Sequence, residues 1–123
     1  MDTADYDRLL RANIQRVFNE RDSAKRALAI EELFVADPVL YEPDNTVTGR
    51  AAISMVAGRL LEQFGPTFLF RPDGVAVGHH GLAILRWTAG PDGGPVAVTG
   101  TDAAEIVEGR IARLWVLLNP TTE

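Results

Sequence analysis

The sequence predicts an α+β domain in which three N-terminal helices pack on a curved, mostly antiparallel sheet and enclose a pocket. Apolar residues recur at helical spacing through most of residues 3–64, whereas β-rich segments separated by turns fill the chain after Gly65-Pro66. The chain has 123 residues, of which 46% are hydrophobic. This length and composition are typical of one domain with a real core, so we expect residues 1–123 to form a single domain.

The helical part divides at turn and capping residues. The first helix is expected over residues 3–20, capped by Asp2 or Thr3, and the second begins after Asp22 or Ser23 and carries Leu28 on its apolar stripe. The short segment PVLYEP between prolines reads as a strand, and DNTVTG as a turn whose Thr48 caps a third helix.

The second half of the chain reads as a meander of strands. Turn segments such as RPDG, HHG, GPDGG and EG separate them. Side chains alternate between the two faces of a strand, and this places one set on the buried face of the three long strands. The set is Ala83, Leu85, Trp87, Val98, Gly100, Asp102, Ala104, Ile106, Leu114, Val116 and Leu118.

Composition narrows the classes of function. The net charge is −5 with no cluster of basic residues, so we expect no nucleic-acid partner. No run of 18 apolar residues and no basic-apolar leader occurs, so we expect no membrane partner and a cytoplasmic location. The absence of cysteine excludes disulfides, thiolate zinc sites and a cysteine nucleophile.

Asp102 is the only ionisable residue on the predicted buried face. A charge on that face is costly unless it is paired, hydrogen-bonded or neutralised by protonation. Asp102 is therefore either a carboxylate satisfied by backbone groups or an arginine, or a functional carboxyl in a pocket.

Glu42 is the second candidate carboxyl. In VLYEP it shares a face with Leu40, so it points inward if Leu40 does. A solvated glutamate at a strand end is the alternative. Two inward carboxyls beside one apolar space would be useful, because desolvation raises a carboxyl pKa and a nearby carboxylate raises one of the two further. One could then act as base while the other donates a hydrogen bond.

The order of segments resembles a known family. RANIQRVFNERD, ELFVADPVLYEP, TVTGRAAI, GLAILRW, PVAVTGTDAAEI and GRIARLWVLL look like successive landmarks of SnoaL-like proteins of the NTF2-like superfamily, which includes ketosteroid isomerases and polyketide cyclases. The resemblance covers nearly the whole chain and implies an NTF2-like, cystatin-like cone.

The resemblance also implies roles for individual residues. The catalytic base falls on Glu42, where the isomerases have aspartate, and the donor acid falls on Asp102. A third isomerase element, a tyrosine on the first helix, is replaced here by Phe18, so a phenol donor is missing. We expect the substrate-binding residues to be Phe18, Val56, Leu60, Leu85, Trp87, Ala104 and Val116, although Trp87 fits plain core packing equally well.

No metal or cofactor is expected. His79 and His80 are adjacent on a strand and should point to opposite faces, so they should not bind one metal together. GPDGG lacks the strand-to-helix context of a phosphate loop.

The outer sheet face is expected to be apolar. Trp115 alternates to that face, and Leu82 and Ile84 should join it. A homodimer through this face is the simplest interpretation, and the resemblance implies the same.

Three functions remain open. The first is proton transfer next to a carbonyl of an apolar, cyclic small molecule, with Glu42 as base and Asp102 as donor. The second is a non-catalytic module that binds a hydrophobic ligand or only dimerises, and the third is cyclase or hydrolase chemistry on a polyketide or epoxide.

Overall fold

A computed structural model describes residues 1–120 of the chain. This part of the chain contains three α-helices: α1 (Thr3–Asn13), α2 (Ser23–Leu33) and α3 (Arg50–Phe64). The predicted caps hold for the first two helices. Asp2 accepts from the backbone N–H of Asp5 in a capping box, and Asp22 accepts from the N–H groups of Ala24 and Lys25.

A π-helical turn, Ile14–Phe18, extends α1. The backbone N–H of Asn19 donates to the carbonyl of Ile14 at 2.9 Å, which is the wider spacing of a π-helix. The Asn19 side chain then pairs with the backbone of Phe70, donating to its carbonyl at 2.7 Å and accepting from its N–H at 2.8 Å. The end of the first helical segment is thus tied to a strand of the sheet.

Within residues 1–120, seven strands form one curved, mixed and open sheet. They are β1 (Phe34–Glu42), β2 (Asn45–Thr48), β3 (Phe68–Pro72), β4 (Val77–His79), β5 (Leu82–Pro91), β6 (Val98–Val107) and β7 (Arg110–Leu118). The order is β2-β1-β7-β6-β5-β3, and β4 also pairs with β5. The pairings are antiparallel except for β1 with β7, which is parallel.

The alternation predicted for the long strands is present in β5 and β6. In β7 the buried residues are Ile111 and Leu114, and Leu118, which was expected on the buried face, is exposed. In β5 the side chains of Ala83, Leu85 and Trp87 are buried while Leu82 and Ile84 are exposed. The helices cover the buried face and complete the core, which includes Leu10, Val17, Ile30, Phe34, Leu40, Ile53, Ala57, Ile111 and Leu114. The predicted α+β architecture, with helices on one face of the sheet, is therefore confirmed.

Several local predictions are wrong. β1 begins at Phe34, four residues before the predicted start at Pro38, and its register with β7 shifts between Phe34 and Val39. Gly49 rather than Thr48 caps α3, and no side chain bonds to the helix N-terminus there. Leu28 does not face the core, since its side chain is exposed.

Candidate functional site

An apolar pocket lies between the helices and the concave face of the sheet. Its inner part is lined by Ile14, Phe18, Glu42, Leu60, Phe70, Trp87, Asp102 and Val116. An outer part shares five of these residues and adds Pro43, Phe64, Phe68, Val98 and Leu118. Both predicted carboxyls therefore line the same space.

The volumes differ between the two parts. The centre of a water-sized sphere can occupy about 30 Å³ of the inner part and about 140 Å³ of the outer part. On this measure one water needs roughly 10 to 15 Å³, so the inner part has room for about two waters.

Asp102 is held in the middle of β6, the second strand from β1. It is 5% exposed, and Trp87 Nε1 donates to its Oδ1 at 2.9 Å. Burial raises the pKa of Asp102 from 3.8 to about 7, and the Trp87 bond opposes part of that rise. Close to neutral pH the group therefore exists as both acid and carboxylate.

Glu42 lies at the end of β1, on the same level of the sheet as Asp102. Tyr41 pairs with Trp115 on β7, so Glu42 comes next to Val116, and Val116 pairs with Asp102. Neighbouring strands lie about 4.8 Å apart, which puts the two backbones roughly 10 Å from each other. The carboxyls flank a space between them.

Burial is the main cause of the raised pKa values of both pocket carboxyls. The pKa of Glu42, which is only partly buried, is raised above 4.5 by desolvation and lowered somewhat by a hydrogen bond from Asn45. Neither carboxyl contributes to the pKa rise of the other. The further rise that a nearby carboxylate would cause is therefore absent. Asp102 is the more deeply buried of the two carboxyls.

Phe18 belongs to an aromatic wall. Its ring meets Phe70 edge-on at 6.4 Å, and Phe70 meets Trp87 in the same way at 5.3 Å. The π turn and the Asn19 clamp to β3 fix this arrangement. No phenol therefore stands where the resemblance implies one, and the wall is apolar apart from the indole N–H.

The structure divides the predicted substrate-binding residues into two groups. Phe18, Leu60, Trp87 and Val116 line the pocket. The side chains of Val56, Leu85 and Ala104 lie in the hydrophobic core and do not line it. Leu85 and Ala104 lie on the buried face of β5 and β6, and Val56 lies on α3; all three are packed into the core.

Ile14 and Phe70 line the inner pocket and were not predicted. Both carried a usable signal. Ile14 precedes Phe18 by four residues, and Phe70 shares a strand face with Phe68. What the sequence did not indicate was that β3 reaches the pocket at all.

The prediction that the side chains of His79 and His80 point to opposite faces is wrong. The Nδ1 atoms of His79 and His80 lie 2.9 Å apart, because His80 adopts a φ of +52° in the turn and its ring folds back. Within residues 1–120, however, no group of three or more histidine, aspartate or glutamate side chains is placed to hold a metal ion. In the same range no helix is long and apolar enough to cross a membrane.

Comparison with known proteins identifies similar folds. No curated protein matches the chain. Among solved structures, a "putative isomerase of the SnoaL-like family" from Agrobacterium tumefaciens is 19% identical, with a TM-score of 0.87 over 95% of this chain and 99% of the other.

Two further structures show the same fold. A "putative ketosteroid isomerase" from Kribbella flavida is 19% identical, with a TM-score of 0.73 over 99% of this chain and 83% of that one. A "putative polyketide cyclase" from Sinorhizobium meliloti is 20% identical, with a TM-score of 0.69 over 94% and 99%. At these identities the likeness concerns the fold alone.

The family is shown by a match to a sequence model. The model of the SnoaL-like domain matches residues 11–114, a span that contains both pocket carboxyls, the aromatic wall and six of the seven strands in full. The chain belongs to the SnoaL-like domain family.

Proposed function

We propose that this domain binds a small apolar carbonyl compound and moves a proton at the carbon next to its carbonyl. Glu42 is the base, and Asp102 in its neutral form donates to the oxygen as negative charge develops there. The observation that carries the proposal is a buried acid, with a pKa of about 7, in the same apolar pocket as a less buried carboxyl.

The shape of the pocket supports a mode of binding. The inner part accommodates a carbonyl group, and the outer part accommodates an apolar ring against Phe68 and Leu118. The apolar lining keeps water away from the carbonyl, so a single hydrogen bond from Asp102 acts at low dielectric.

The test is exchange of the protons next to a carbonyl. Cyclohexanone, 3-cyclohexenone and 1-indanone are incubated with the protein in D₂O, and loss of the proton signal is followed by NMR. This readout reports proton abstraction whether the natural reaction is isomerisation or cyclisation. We expect exchange above the buffer rate for at least one ketone.

Three variants assign the roles. Glu42→Gln should slow exchange by about 10²- to 10⁴-fold, because the base is lost. Asp102→Asn should slow it by about 10²- to 10³-fold, because the amide is a poorer donor to an oxyanion. Glu31→Gln is the control: Glu31 is exposed on α2, which supplies no residue to either part of the pocket, so exchange should not change. Equal rates in all three variants and the wild type would refute the proposal.

The pH dependence follows from the pKa directions. Glu42 must be ionised, so exchange should fall on the acid side, at a pH above 4.5. Asp102 must be neutral, so exchange should also fall as pH rises through about 7. A bell-shaped profile is expected, and Asp102→Asn should remove its alkaline limb.

A non-catalytic ligand-binding module is the second candidate. It is favoured by Phe18, which leaves the pocket without the second donor that a tyrosine would supply. Binding of the three ketones is measured by chemical-shift changes in the NMR spectrum of the protein. If the ketones bind but none of them exchanges protons, this candidate is established over the first.

We further propose that a second copy of the chain covers the outer sheet face. An apolar row runs across five strands there through Val77, Ile84, Ala103, Trp115 and Tyr41, with Tyr41 stacked on Trp115 at 4.9 Å. Glu105 and Arg113 lie beside the row with opposite charges, so two copies related by a twofold axis could pair them reciprocally. Sedimentation velocity over a concentration series tests this, and a monomer at every concentration would refute it.

A further inference from the structure

Within residues 1–120, the hydrogen bond between Trp87 and Asp102 joins two side chains that both line the pocket. Trp87 Nε1 donates to Oδ1 of Asp102 at 2.9 Å, and both residues are buried. Among residues 1–120 no other hydrogen bond reaches the Asp102 carboxyl, so Oδ2 is left for a ligand.

Gly100 makes this contact possible. It is paired with Trp87 across β5 and β6, and Asp102 is the next residue of β6 on the same face. A Cβ at Gly100 would clash with Cζ2 of the indole, approach its Cη2 to 2.8 Å, and lie 2.7 Å from the carbonyl oxygen of Leu117. The bare glycine lets the ring lie against β6, and Phe70 holds it edge-on from another side.

The chemistry of the donor decides where the proton of Asp102 goes. An indole N–H can only donate, so Oδ1 must accept. In a neutral carboxylic acid the carbonyl oxygen is the better acceptor, because the hydroxyl oxygen shares its lone pair with the carbonyl. The arrangement with C=O at Oδ1 and O–H at Oδ2 is therefore favoured. Donation to Oδ1 also polarises the group and strengthens Oδ2–H as a donor.

We propose that Trp87 is a positioning residue, which keeps the acid proton of Asp102 on Oδ2 and aims that donor at the carbonyl oxygen of a bound ligand. The donor role of Asp102 rests on the proposed function, whereas the position of its proton does not. The pocket then prefers ligands that present an acceptor to Asp102.

The first test uses the wild-type protein without ligand. The two indole N–H signals, from Trp87 and Trp115, are followed by ¹⁵N NMR from pH 5 to 9 together with the ¹³C carboxyl signal of Asp102. The Trp87 signal should move with the same midpoint as Asp102. Trp115 lies on the outer face, so its signal should not follow that midpoint. A Trp87 signal that ignores the Asp102 titration would overturn the proposal.

The second test replaces the indole of Trp87 by a phenyl ring, which remains aromatic but has no N–H to donate. In Trp87→Phe the Asp102 midpoint should rise by roughly half to one pH unit, because a bond that favours the ionised form is lost. Trp115→Phe is the matched control and should leave the midpoint in place. An unchanged midpoint in a folded Trp87→Phe protein would also overturn the proposal.

The ketone exchange assay separates this proposal from the proposed function. Trp87→Phe should move the alkaline limb of the pH profile to higher pH with the Asp102 midpoint, which a packing defect alone would not do. If the indole follows Asp102 but no ketone exchanges, the proposed function fails and the proton position stands. If exchange requires Glu42 and Asp102 but the Trp87 N–H signal does not follow the Asp102 titration, only the proposed role of Trp87 fails.

Discussion

Replacing Asp102 by asparagine should change how the stability of the protein depends on pH. Asparagine has the same shape, cannot ionise, and still offers an oxygen to the Trp87 N–H. In the wild type, the pKa of Asp102 is about 7 in the folded state and 3.8 in the reference state. The native state therefore binds the extra proton, and stability falls as pH rises towards 7.

The magnitude follows from these two values. The full difference between 3.8 and about 7 corresponds to about 4 kcal/mol, at about 1.4 kcal/mol per pKa unit. Between pH 5.5 and 8.5 the reference state is already ionised, and the wild type should lose about 2 kcal/mol of that stability. Above pH 8.5 the loss is complete. Asp102→Asn should lack this component, so the free energy of unfolding of the variant should rise relative to that of the wild type between pH 5.5 and 8.5.

Urea unfolding at half-unit pH steps measures the effect. The carboxyls of Asp5, Asp7, Asp22 and Glu32 have lowered pKa values and titrate below the window in both proteins. Glu42, whose pKa is raised, is present in both proteins as well, so the difference between variant and wild type isolates Asp102. Parallel stability curves from pH 5.5 to 8.5 would refute the reasoning, since Asp102 would then be ionised throughout and unable to act as a neutral donor.

Three other substitutions test features outside the carboxyl pair. Asn13 is fully buried in α1, and the nitrogen and oxygen of its side-chain amide lack hydrogen-bond partners within the described chain. Asn13→Leu should therefore raise the free energy of unfolding by about 1 to 3 kcal/mol. Lower stability in urea would show that the amide is satisfied. Arg21 donates to three backbone carbonyls at the end of α3 and the start of β3, so Arg21→Ala should cost about 1 to 3 kcal/mol and speed hydrogen exchange there; unchanged exchange would contradict this. Ala103→Arg places a charge in the middle of the outer apolar row and should give a monomer by sedimentation velocity, whereas persistence of a dimer would exclude this face as the interface.

The periodicity of the chain determined most of the fold. Helical spacing and strand alternation depend on neighbours within one element, so the three helices, the long strands and the inward direction of Asp102 and Glu42 followed from local pattern. Local pattern did not predict the π turn at residues 14–18, whose position relative to β3 is fixed by the Asn19 bonds to Phe70. The orientation of the His80 ring also depends on the φ angle of its backbone, which the residue type does not dictate.

The chemistry of the site was decided only in three dimensions. Sequence alone placed Trp87 and Asp102 on one face, but their hydrogen bond needs the open space over Gly100 and the register of β5 with β6. In the same way, Leu60 and Val116 line the pocket while Val56 and Leu85 are packed into the core, although all four were expected to line it. The sequence by itself determined which residues turn inward. The tertiary structure decided which of them meet an empty space, because that depends on distances between elements that no single element encodes.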